Sequence, residues 1–144
     1  MAEKERGDHP LNLRGGAAAK PGFQDLIAWQ KAMELVTAIY GVTREWPREE
    51  QYGLISQIRR AAVAIPSNLA EGHGRSGPRE YAHHVSIAFG SLCELETQML
   101  IGERLGYTNG DTTAELMTRT AEVRRLIRGL IRSLQSPTSA GDLR

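Results

Sequence analysis

Residues 81–99 read YAHHVSIAFGSLCELETQM, and within them Tyr81, Val85, Ala88, Leu92, Leu95 and Met99 recur at spacings of four, three, four, three and four. At about 100° per residue these positions form a single apolar stripe, which is one face of a helix. A strand would alternate apolar and polar at every second residue, and nowhere does the chain sustain that alternation. Pro78, three residues upstream, suits the first turn of a helix, where its missing N–H leaves no bond unmade. Gly106 downstream suits a C-terminal stop. A helix is therefore expected from Pro78 to about Leu105.

The same spacing recurs on either side. Trp29, Met33, Val36 and Tyr40 place a first helix at about Leu26 to Arg44, with Asp25 as its expected N-cap and Trp46-Pro47 as its stop. Ile55, Ile58, Ala62, Ile65 and Leu69 place a second from Pro47 or Arg48 to about Glu71, with Glu49 and Glu50 suiting its positive start. Pro66 lies inside that helix and removes one backbone hydrogen bond, so a bend is expected there. GHGRSG, residues 72–77, reads as a turn. After a second turn, GYTNGD, residues 106–111, Thr112 and Glu115 match a capping box, and Leu116, Thr120, Val123, Ile127, Leu130 and Leu134 carry a fourth helix. Four helices joined by short turns alternate in direction, so the expected fold is all-α, an antiparallel up-down-up-down four-helix bundle over residues 25–134.

Outside that span the sequence changes character. Residues 1–24 hold six Gly and Pro residues among scattered charges and are expected to form a disordered arm; residues 135–144, opening on Ser136-Pro137, are expected to form a disordered tail. The whole chain has 144 residues, enough for one domain, and 18 Lys plus Arg against 17 Asp plus Glu, so no global field favours an acidic partner. One cysteine, Cys93, excludes an intrachain disulfide and zinc sites built on paired thiols. With no apolar leader and no window of about 18 apolar residues, the expectation is a cytoplasmic protein without a membrane partner.

The outer faces carry the functional signals. Opposite the core stripe of the second helix lie Arg60, Ala64, Ser67 and Glu71, and well off the third helix's stripe lie Ile87, Gly90 and Glu94. Small and apolar residues stand where a monomer would show Lys and Glu, which points to burial against another copy, with Arg60 placed to pair with Glu94 or Glu71. On the fourth helix Arg124, Arg125, Arg128 and Arg132 cover an arc facing away from the core, with Arg119 nearer its edge. Arginine rather than lysine suits bidentate contact with phosphate, so these five are candidate nucleic-acid contacts. No aromatic residue interleaves with them along that helix, which argues against a platform for stacking bases.

No catalytic constellation emerges. Glu80 and His83 have the Glu-x-x-His spacing of di-iron bundles, but those need two such motifs and this chain has one. The glycines around His73 follow no strand and precede no Lys-Ser/Thr pair, so they lack a phosphate cradle's context. Cys93 has acids but no base beside it and reads as a buried or interface thiol. Neither a metal nor another cofactor is expected.

The stretch QYGLISQIRRAAVAIPSNLAEGHGRSGPREY, residues 51–81, followed by IAFGSLCELETQML, residues 87–100, resembles the bacterial four-helix-bundle proteins encoded in intervening sequences of 23S rRNA genes. The family pattern falls on Leu54, Gln57, Arg60, Ala61, Ile65, Pro66, Asn68, Ala70, Glu71 and Gly72, then on Gly90, Ser91, Glu94 and Glu96. Ala64 departs from it, standing where the family usually has Ser. The resemblance implies a homo-oligomer, typically a pentameric ring, with Asn68 joining the interface residues. It also implies kinship with the accessory variability proteins of diversity-generating retroelements, which bind a reverse transcriptase and contact nucleic acid. Together the two lines give the expected role: a non-enzymatic oligomeric accessory that binds RNA or DNA, or a reverse transcriptase ribonucleoprotein. The alternatives are a protein-interaction scaffold that touches no nucleic acid, or an intervening-sequence protein with no defined cellular role.

Overall fold

The computed structural model describes residues 22–135. The expected arm lies outside these bounds up to residue 21, and the expected tail lies outside them beyond Gln135. Four helices make up the described chain: α1 (Ile27–Thr43), α2 (Leu54–His73), α3 (Pro78–Arg104) and α4 (Gly110–Gln135). Short 3-10 turns precede α1 at Phe23–Asp25 and α2 at Arg48–Glu50, and there is no strand among the described residues. α2 packs against α1 and, most extensively, against α3; α3 packs against α4, and α4 closes back on α1.

Three stripes fall where the periodicity puts them. Ile55, Ile58, Ala62, Ile65 and Leu69 of α2 are buried, as are Val85, Ala88, Leu92, Leu95 and Met99 of α3 and Leu116, Thr120, Val123 and Ile127 of α4. The α1 stripe is displaced by one residue: Ala28, Ala32, Leu35, Ile39 and Thr43 face the core, while Met33 and Tyr40 are exposed. The larger residues hid the register. Tyr40 sits at the rim facing α2, where the Arg59 guanidinium lies 4.4 Å from its ring centroid and the Arg59 Nε–H donates to Thr43 Oγ1 at 2.8 Å.

The helix ends also differ from the spacing-based expectation. Leu26, with no side-chain cap, precedes α1, while Asp25 belongs to the 3-10 turn and accepts from the Gly22 N–H. α2 starts at Leu54 because the chain breaks at Gly53, and Glu50 reaches back so that its Oε1 accepts the Leu54 N–H at 3.0 Å. This satisfies a donor that the helix start leaves open. α2 then continues to His73, through the buried Pro66 and Gly72. α4 starts two residues before Thr112, because Asn109 Oδ1 accepts the Thr112 N–H at 2.8 Å and so performs the capping. α3 ends as expected: Gly106, at φ 81°, turns left-handed, and the Tyr107 N–H bonds to Gly102 O in the six-to-one closure of a Schellman motif.

That closure joins two loops. The Trp46 indole, after α1, donates to Thr108 Oγ1 at 2.8 Å and packs on Gly102. Tyr107 lies 5.5 Å from the Trp46 ring and donates its hydroxyl to Glu50 Oε2 at 2.7 Å. At the other end of α3, Gly72 lets the chain approach His84 and Tyr81 closely, since a β-carbon there would fall 2.8 Å from His84 Cβ.

Candidate nucleic-acid interface

The five candidate arginines of α4 separate according to the neighbour each faces. Arg119, on the side toward α1, lies 4.0 Å from Glu34 and 3.9 Å from Glu115. Arg124, on the side toward α3, is ion-paired with Glu96, whose side chain is buried and whose second carboxylate oxygen has no partner among the described residues. These two cations are spent within the chain. Arg125, Arg128 and Arg132 have no carboxylate partner among the described residues, and all three are exposed.

Arg128 is held from below. Its guanidinium lies 5.2 Å from the ring centroid of Phe89, a half-buried residue of α3 that packs on the core. Phe89, Arg128, Ile131 and Arg132 line one open cleft between α3 and α4. The aromatic neighbour that is absent from the sequence of α4 is thus supplied by α3. One signal could have revealed it: Phe89 stands about 80° off the α3 stripe, on the same flank as Glu96. Arg124 likewise stands near the core edge of α4, where an acid on α3 could reach it.

The candidate interface residues lie on the outer sides of α2 and α3. Arg60, Ser67, Glu71, Gly90 and Glu94 are exposed, Ile87 is 40% exposed, and Ala64 is half-buried. Arg60, Ala64 and Glu94 line a shared depression, though Arg60 makes no ion pair with Glu94 among the described residues. Glu71 instead pairs with Arg75 at 2.6 Å. Asn68 is turned inward: its Nδ2 donates to Ala64 O at 2.9 Å and its Oδ1 lies 3.3 Å from His84 Nδ1. A second groove, between α1 and α2, was not legible beforehand. Tyr40, Tyr52, Ile55, Arg59, Arg60 and Val63 line it, and Tyr52 is 91% exposed.

The remaining sequence candidates do not assemble a reactive centre. His83 is exposed, stacked edge-on against His84 at 5.6 Å, and Cys93 is exposed rather than buried. Among the described residues no three His, Cys, Asp or Glu side chains gather where they could hold a metal, and no helix is long and apolar enough to cross a membrane.

Comparison with known proteins identifies a family and a fold. A family model described as 23S rRNA-intervening sequence protein matches residues 24–129. Among solved structures, one with the same fold is a crystal structure of a protein of unknown function from the S23 ribosomal protein family of Bacteroides thetaiotaomicron VPI-5482. It has 17% sequence identity and a TM-score of 0.67, and the match covers 74% of this chain and 99% of that one. No curated protein matches the chain significantly.

Proposed function

This chain belongs to the 23S rRNA-intervening sequence protein family, and we propose that it works as a non-enzymatic, self-assembling helical bundle that binds nucleic acid along the outer side of α4. The observation that carries this reading is the trio Arg125, Arg128 and Arg132, exposed and without carboxylate partners among the described residues, beside the Phe89 cleft. Planar guanidinium groups suit phosphate, and each neutralised phosphate adds to the salt dependence of binding.

In this reading the bundle is antiparallel, up-down-up-down. Support comes from residue pairs whose numbers run in opposite directions: Asn68 with His84 and Gly72 with Tyr81 across α2 and α3, Glu96 with Arg124 and Phe89 with Arg128 across α3 and α4, and Lys31 with Glu122 and Glu34 with Arg119 across α1 and α4. The copies meet through the outer sides of α2 and α3, around Arg60, Ala64, Ser67, Glu71, Ile87, Gly90 and Glu94, as the pentameric ring that the resemblance implies. Gly90 supports this: a β-carbon there would meet nothing within 4 Å among the described residues. Glycine inside a helix costs about 0.5–1 kcal/mol relative to alanine, so close approach by another copy gives its presence a reason. Assembly also multiplies a weak patch, because copies held in fixed array bind one polyanion with effective concentrations that a single copy lacks. A reverse transcriptase ribonucleoprotein, the partner that the resemblance implies, would present the same phosphates to this face. The proposed setting is the cytoplasm, where the free thiol of Cys93 stays reduced.

Filter binding to structured RNA and to DNA tests the reading with the triple substitution R125A, R128A and R132A. Arg119 and Arg124 are left in place because their carboxylate partners need them. The expected result is weaker binding and a shallower dependence on salt; unchanged affinity overturns the proposal.

One further observation favours the scaffold alternative. Exposed tyrosines with arginines between them are the composition of protein–protein contact centres, and the α1–α2 groove has that composition. A variant with Tyr52→Ala that loses a protein partner while the triple-arginine variant keeps it would decide for the scaffold.

A further inference from the structure

The Phe89 cleft does not stand alone. One helical turn further toward the start of α3, a second depression between α3 and α4 is lined by Arg79, His83, Ser86, Leu134 and Gln135 among others. Among the described residues neither depression has an Asp or Glu in its lining. From Arg79 to Phe89 this acid-free strip follows about 15 Å of helix at 1.5 Å per residue. It therefore combines three arginines, a histidine, an aromatic ring and the aliphatic side chains of Ile131 and Leu134 among others in a concave track.

Arg128 is the informative residue in this track. Its guanidinium carbon lies 5.2 Å from the Phe89 ring centroid, within cation–π reach, while the residue stays exposed, so the planar group is anchored on one side and open to solvent on the other. Nucleobases stack on such planes, and phosphates bond to such edges. Duplex nucleic acid offers phosphates but keeps its bases stacked on one another, so it has no base to give to a groove wall. A single strand offers both.

Resting on the nucleic-acid reading above, we infer that the α3–α4 groove takes a single strand, with one base stacked on the outer face of the Arg128 guanidinium. Phe89 is a positioning residue that anchors the guanidinium, and Arg132 and Arg79 meet the phosphates on either side.

The test uses the full chain in its native assembly and fluorescence anisotropy with three probes of about a dozen units. These are an oligouridine, an abasic sugar-phosphate strand of equal length, and an RNA duplex. Wild type is expected to bind oligouridine about tenfold more tightly than the abasic strand, the scale of one lost stacking contact. R128K keeps the charge and removes the plane, so it should bind both single strands equally at an unchanged salt slope. F89L should behave in the same way, its folding verified by circular dichroism, and R128K carries the test if F89L does not fold. Equal wild-type binding to all three probes, or an oligouridine preference that survives R128K, overturns the inference and leaves the nucleic-acid reading standing. Absence of binding to every probe removes both.

Discussion

The indole of Trp46 occupies the space that a side chain on residue 102 would need: a β-carbon there would lie 2.5 Å from Cη2 of the ring and 2.6 Å from Cζ2. Gly102 is thus fixed by a residue 56 positions earlier in the chain, and the contact locks the α1–α2 connection onto the end of α3. Gly102→Ala is expected to destabilise the fold by about 1–3 kcal/mol, the usual range for overpacking a filled site. Trp46→Phe lacks the two clashing atoms, so the double variant should lose less than the sum of the single losses. Urea denaturation of the four proteins measures this, and strict additivity would show that the ring and the glycine are not coupled.

Arg124 and Glu96 give a second prediction. Arg124→Ala leaves a carboxylate in a site where its side chain is 12% exposed, whereas Arg124 itself keeps 29%. The expected loss is about 2 kcal/mol, below the range for a fully buried pair because water reaches the arginine. Replacing both residues by leucine should restore most of the stability, since two apolar side chains leave no charge unpaired. Recovery in the double variant is the decisive measurement.

Glu50 makes the stability sensitive to acid. The Leu54 N–H, and then the Tyr107 hydroxyl, hold its carboxyl below the usual carboxylate value. A group whose folded pKa is lowered stabilises the fold above its unfolded pKa, and the contribution fades as pH falls through the folded value. Tyr107 works in the opposite direction: its bond to Glu50, and then burial, raise its pKa, so its contribution is complete below its ordinary value and fades as pH rises through the raised one. Glu50→Gln is therefore expected to flatten the acid limb of a stability profile. Thermal melting between pH 3 and pH 7, a span around the usual carboxylate value of about 4.3, would show it.

Assembly is the fourth expectation. Light scattering of the wild type should give a mass near five chains, and Gly90→Leu, projecting from the outer side of α3, should lower it with the helical content intact. A wild-type monomer of 15.9 kDa would remove both the proposed interface and the multivalency on which the proposed nucleic-acid binding rests.

The helices were legible in the sequence because Val85, Leu92 and Leu95, like Ile58 and Ile65, are large, apolar and regularly spaced. α1 was misplaced by one residue because its core positions include Ala28, Ala32 and Thr43, which are weak hydrophobic markers beside Trp29 and Tyr40. Its true face is selected by how closely its neighbours approach, which is information in three dimensions. The boundaries shifted for other reasons: Asn109 is itself a good N-cap residue and competes with Thr112 for the start of α4, while Glu50 reaches the Leu54 N–H across the turn at Gly53, which the spacing of apolar residues does not reveal. At the candidate site, the arginine arc on α4 was visible as an arc. Which of its members were already engaged depended on Glu34, Glu96 and Phe89, residues of α1 and α3 that only the packing brings near.

The extent of the α2–α3 contact bears on the order of events when the chain folds. These helices are joined by the four residues Gly74–Gly77 and share the largest contact among the described helices. Closing so short a connection sacrifices little chain entropy, whereas bringing α1 against α4 must close a far longer loop. The α2–α3 pair is therefore expected to form the nucleus, with the outer helices condensing on it. Truncations in its seam, such as Leu92→Ala, should slow refolding, while Ile39→Val in α1 should mainly hasten unfolding.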